Sequence, residues 1–100
     1  MMNRHDADLE ALRRCILEAP GITETATRRG AFRATALLPP AGPYLAMVRD
    51  QSYRLLDADL DALCAAGMTE DAIFELTIAA AAGEAFRRLE LGLAAVRGRA

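Results

Sequence analysis

The chain has 100 residues and a mass of 10.8 kDa, with 53% apolar residues, which is one domain's length and too apolar for wholesale disorder. Its basic charge comes from 12 arginines and no lysine, and a formal net charge of −2 lacks the basic excess of a dedicated nucleic-acid binder. The longest apolar stretch, Ile73 to Gly83 interrupted by Glu75 and Thr77, falls short of the about 20 residues a membrane-spanning helix needs.

Helix signals dominate the chain, and with two valines there is no period-2 run of β-branched residues. Asp6 or Asp8 can cap a first helix running to about Ala19, with Leu9, Leu12, Ile16 and Ala19 on one face and Glu10 and Arg14 as an i,i+4 pair. Pro20-Gly21 ends it. Thr23 is placed to cap a second, basic helix containing Arg28, Arg29 and Arg33 and interrupted by Gly30. The run Leu37-Leu38-Pro39-Pro40-Ala41-Gly42-Pro43 cannot continue a helix, and it divides an N-terminal helical segment (1–41) from a C-terminal unit (42–100) within one compact domain.

A third helix is predicted from near Pro43, carrying Tyr44, Met47 and Val48, with Asp50 and Arg54 again at i,i+4. A short fourth helix starts around Asp57, turns Leu60, Leu63 and Cys64 inward, and stops at Gly67 in a left-handed cap. Thr69-Glu70-Asp71 starts the fifth: a hydroxyl cap, then two acids at the positive end of the helix dipole. That helix runs to about Arg97. Up to Gly83 it is apolar nearly all round, so it is expected either at the centre of the molecule or against a second chain. The 22 alanines point the same way, because an alanine-rich core buries little area per residue and gains from burial against sister chains.

Few residues carry chemistry. The polar N-terminus, from Met1 to Asp8, shows no apolar leader, and Cys15 and Cys64, 49 positions apart, form neither a disulfide framework nor a metal-ligand spacing. A cytoplasmic protein without cofactor or metal is the expectation. Asp57, Asp59 and Asp61 imitate the start of an EF-hand loop, but Ala62 and Met68 occupy its glycine and glutamate positions. His5 is the only histidine, so no nucleophile has an imidazole base at hand. Cys64, on an inward face, reads as an inert thiol. Between Asp50 and Glu75 there are seven acids and one base, Arg54. Glu75 stands among Ile73, Phe74, Leu76 and Ile78, where a charge is costly unless paired. It is read either as a carboxyl of raised pKa in a pocket or as the partner of Arg87 or Arg88 across a subunit contact. Glu75 and Tyr53 are the candidate proton-transfer groups if the chain is a decarboxylase- or isomerase-type enzyme acting on a compact organic acid.

The run from Ala62 to Leu76, Ala-Leu-Cys-Ala-Ala-Gly-Met-Thr-Glu-Asp-Ala-Ile-Phe-Glu-Leu, resembles the carboxymuconolactone decarboxylase and AhpD-like alkylhydroperoxidase superfamily: a short helix, a glycine, a hydroxyl cap with acids, and a long helix of small apolar residues. The likeness covers roughly residues 42–97. It implies an all-α, AhpD-like fold of about five helices that forms a homo-oligomer, dimer to hexamer, through the long C-terminal helix. The AhpD-like branch works with a Cys-x-x-Cys-x-x-x-His motif ahead of the glycine. Anchored on Gly67, those positions hold Ser52, Leu55 and Asp59, so the dithiol cycle of that branch does not carry over. The resulting expectation is a non-redox homo-oligomeric protein of unknown ligand, without peroxidase activity.

Overall fold

The computed structural model describes residues 4–35 and 37–98. The polar start at Met1, Met2 and Asn3 lies outside the described residues. Five α-helices follow one another: α1 (Arg4–Glu18), α2 (Thr25–Phe32), α3 (Ala41–Gln51), α4 (Asp57–Ala65) and α5 (Glu70–Arg97), with a 3-10 turn at Ser52–Arg54 between α3 and α4. No strand occurs among the described residues. The molecule is elongated, 51 × 29 × 20 Å, because α5 runs for 28 residues, about 42 Å at 1.5 Å per residue.

The breaks predicted at Pro20-Gly21 and Gly67 lie where helices end, but Gly30 lies inside α2 without interrupting it, and Ala41, Gly42 and Pro43 of the predicted break form the first turn of α3, where the missing proline N–H costs no helical bond. Gly67 stands at φ +102°, a left-handed conformation that glycine alone adopts without cost, and turns the chain from α4 into α5. Thr69 then caps α5, its hydroxyl accepting from the Ala72 N–H at 3.1 Å. The cap expected at Thr23 is not formed. α2 begins at Thr25 with Glu24 as its cap position, and the Thr23 hydroxyl is engaged elsewhere. Two helical ion pairs also differ from expectation. Glu10 reaches Arg13 at 3.5 Å, one position short of Arg14. Arg54 lies beyond the end of α3 and bonds the Gln51 side chain at 3.4 Å, so Asp50 and Arg54 no longer share a helix face.

The core sits where α2 and α3 pack on the first half of α5. It joins Leu17, Ala31 and Phe32 of the N-terminal segment to Leu45, Leu76, Ala79 and Ala80 of the C-terminal unit. Small residues set the distance between α2 and α5. A methyl group on Gly83 would strike the Phe32 carbonyl, and that same carbonyl accepts from Arg87 at 2.9 Å. The Phe32 ring packs on Phe86 with centroids 5.6 Å apart and carries the Arg13 guanidinium over its face at 5.9 Å. Arg28 is buried, 6% exposed, and donates to the Ile16 and Ala19 carbonyls at 3.2 and 2.8 Å, closing the C-terminal end of α1.

Burial departs from the sequence reading on two helices. On α4 only Leu63 is buried. Leu60 and Cys64 are exposed, because α4 meets the body of the molecule through a single ridge. The first half of α5 is not enclosed on all sides: Ile73, Leu76, Ala79, Ala80 and Gly83 face inward, while Phe74 is 65% and Ile78 41% exposed.

Candidate functional site

Glu75 is placed by α5 beneath the loop that joins α1 to α2. Its carboxylate accepts from the Ile22 N–H at 2.7 Å, the Thr23 N–H at 3.0 Å and the Thr23 hydroxyl at 2.7 Å. These donors favour the charged form. The Ile22 and Thr23 amides, then the Thr23 hydroxyl, and more weakly the Arg28 charge, bring its pKa from 4.5 down to about 2. The first alternative read from the sequence is corrected by this geometry, since the pKa is lowered, not raised, and within the chain the carboxylate is held by loop amides and the Thr23 hydroxyl. Arg87 and Arg88 pair with Glu84, whose carboxyl is pushed below its usual range chiefly by its hydrogen bond from Arg87. A carboxylate with three donors and so low a pKa is a poor proton acceptor at neutral pH. A cavity of about 180 Å³ beside Glu75 is lined also by Cys15, Arg28 and Phe74, and not by Tyr53. Tyr53 lies on the 3-10 turn, 83% exposed. The two proton-transfer candidates are therefore not brought together.

The more coherent site lies between α3, α4 and α5. A groove of about 560 Å³, within the size range of small-molecule sites, has Leu60, Ile73 and Phe74 as its apolar surface. Around it stand Asp57 and Asp61 of α4 and Glu70 of α5, with Cys64 and the hydroxyls of Tyr44 and Thr77. No basic side chain lines it. The direction of its hydrogen bonds can be read from the proton count. Thr77 has one hydroxyl proton and gives it to the Ile73 carbonyl at 2.7 Å. In the 2.7 Å contact between Tyr44 and Thr77, Tyr44 is then the donor. With that proton used, Tyr44 offers the groove only lone pairs. Apart from the weakly donating Cys64 thiol, every polar side chain here presents acceptors, and the three carboxylates add negative charge.

The sequence places Asp57, Asp61 and Glu70 in its acidic run but does not show that α4 folds back to set them around one apolar floor. Cys64, read as an inert inward thiol, is on the groove wall and free. Among the described residues no group of three or more His, Cys, Asp or Glu side chains is arranged to hold a metal ion, and no helix is long and apolar enough to cross a membrane. No family model matches the chain, and no curated protein and no solved structure matches it either.

Proposed function

We propose that this chain is a non-redox, homo-oligomeric binding protein of AhpD-like type, and that the groove between α3, α4 and α5 is its ligand site. The observation that carries the reading is the groove's polar lining over an apolar floor, acceptors throughout save the weakly donating Cys64 thiol. Such a surface recognises a ligand that brings hydrogen-bond donors and positive charge on an apolar body, in short an organic ammonium. An anionic substrate such as a small organic acid meets three carboxylates and no compensating base there. Absence of peroxidase activity follows from Ser52, Leu55 and Asp59 standing where the dithiol and histidine of the AhpD-like branch belong.

The test uses three probes of one shape: phenylbutylamine, phenylbutanol and phenylbutyrate, titrated into the protein and followed by amide chemical shifts. Saturable binding of the amine, with shifts at Tyr44, Ile73 and Thr77 and loss of binding in a triple variant Asp57→Asn, Asp61→Asn, Glu70→Gln, supports the reading. Equal binding of the butyrate, or no saturation by the amine, sinks it.

A further inference from the structure

Phe74 lines two cavities: the acidic groove, and the cavity of about 180 Å³ formed by the end of α1, the Pro20-Gly21 turn and α5. Opposite charges share the second one. Arg28 and Glu75 both line it, yet among the described residues no ion pair joins them. Each is held by other partners, and each keeps part of its hydrogen-bonding capacity unspent.

Arg28 is buried, 6% exposed, and its Nη1 spends both protons on the Ile16 and Ala19 carbonyls. The Nε–H is buried without a partner. It lies on the guanidinium edge that, together with Nη2, recognises a planar acceptor side-on. A buried cation with an unspent donor is costly until an acceptor is supplied. Glu75 is the converse case. A carboxylate has about four acceptor sites. Thr23 fills two on Oε1 with its N–H and its hydroxyl, and the Ile22 N–H fills one on Oε2, so a single Oε2 lone pair remains. The loop closes tightly over this carboxylate, because a methyl group on Gly21 would stand 2.7 Å from Oε1. The rest of the wall is apolar: Ile16, Ala19, Pro20, Phe74 and Ile78.

We propose that this cavity binds a small primary carboxamide, whose carbonyl oxygen accepts from the free edge of Arg28 and whose NH2 donates to Glu75 Oε2. The lining has one cation and one anion, so a neutral ligand leaves it balanced. A carboxylate would satisfy Arg28 but set a second negative charge beside Glu75, and an ammonium would set a second positive charge beside Arg28. An amide carries acceptor and donor on one planar group and spans a gap that neither side chain closes by itself. Its apolar body meets the aliphatic wall. At about 30 Å³ per non-hydrogen atom, the cavity has room for about six of them. The inference does not depend on the groove, which selects for charge where this cavity selects against it.

The experiment uses the full chain and three probes of one branched shape: isobutyramide, isobutyrate and isobutylamine. Binding is followed through the Arg28 Nε–H resonance and the Ile22 and Thr23 amides. Isobutyramide saturates in the millimolar range and moves the Nε–H signal downfield, while the acid and the amine bind at least about tenfold more weakly. Ala19→Leu, and independently Cys15→Leu at the cavity's rim, fill the space, keep both charged groups and abolish binding. The variant Asp57→Asn, Asp61→Asn, Glu70→Gln binds isobutyramide as the parent does. Equal binding of isobutyrate or isobutylamine overturns the neutral class of ligand. No saturation by isobutyramide shows that the cavity holds water only. Binding that survives both filling variants, or is lost in the groove variant, lies elsewhere and overturns the site, while amine binding in the groove stands or falls on its own titration.

Discussion

Gly83→Ala is the substitution on which the helix packing can be judged most directly, because two effects of opposite sign compete. In an isolated helix the change stabilises by about 1 kcal/mol, since alanine loses less backbone freedom than glycine. In this fold the new methyl would lie 2.7 Å from the carbonyl carbon of Phe32 and 2.9 Å from its Cα, with the carbonyl oxygen closer still. Ordinary contact begins near 3.4 Å, so the end of α2 must retreat by about 0.7 Å measured on the carbon alone. Overpacking of this kind costs about 1–3 kcal/mol. The retreat also stretches the 2.9 Å bond from Arg87 to the Phe32 carbonyl, a charge-assisted bond of about 1.5–3 kcal/mol. Against the propensity gain, the net loss is about 2–4 kcal/mol, which for a domain this size lowers the melting temperature by 10 °C or more, at roughly 4–8 °C per kcal/mol. Urea denaturation followed at 222 nm measures it, with the slope of the transition checked for change. Gly92→Ala, on the same helix with open space around it, is the internal control and gains about 1 kcal/mol in dilute, monomeric protein. If Gly83→Ala is as stable as the parent, or gains like the control, α2 and α5 are not in contact at Phe32 and the packing described above is wrong.

Two further outcomes follow from the polar contacts. The Glu75 carboxyl has a folded pKa of about 2 against an ordinary 4.5, so its stabilising contribution is complete above 4.5 and is lost as pH falls through about 2. Glu75→Gln is therefore less stable than the parent at neutral pH, and the gap closes on acidification across that window. A gap independent of pH would show that the Ile22 and Thr23 amides do not depend on the charge. Arg28→Met keeps the buried stem but strips the Ile16 and Ala19 carbonyls of their donor. It costs about 1–2 kcal/mol in denaturant unfolding, less than the two bonds suggest because the buried, unpartnered Nε goes with it. A variant more stable than the parent would show that desolvation of the guanidinium outweighs both bonds.

What the sequence made legible is what local chemistry decides. Pro20-Gly21, Pro39-Pro40 and Gly67 stand between helices, and Thr69 caps α5 as its hydroxyl and the following acids require. The role of Glu75 was not legible, because its donors lie more than 50 residues away on a loop. Thr23 illustrates the same point from the other side: as a hydroxyl before a helix it looks like a cap, and only tertiary folding offers it a carboxylate instead. Cys64 was misread because Leu60, Leu63 and Cys64 have core-like spacing, yet a helix of nine residues held by one ridge buries only Leu63. In the first half of α5, apolar residues on every side gave no phase, so the sequence alone did not tell the covered face from the bare one.

That missing phase gives the alanine content its physical meaning. On the inner side of α5, Ala79, Ala80 and Gly83 are small because α2 comes close enough for the Phe32 carbonyl to touch the helix backbone. On the outer side, Ala81, Ala85 and Gly92 are equally small and exposed, with open space around Gly92. Solvent alone does not call for small apolar residues in register with exposed Phe74, Ile78, Leu89 and Val96; lysine, glutamate or arginine would serve a solvated face better. The inner face shows what small residues accomplish in this helix, which is to admit another backbone at close range.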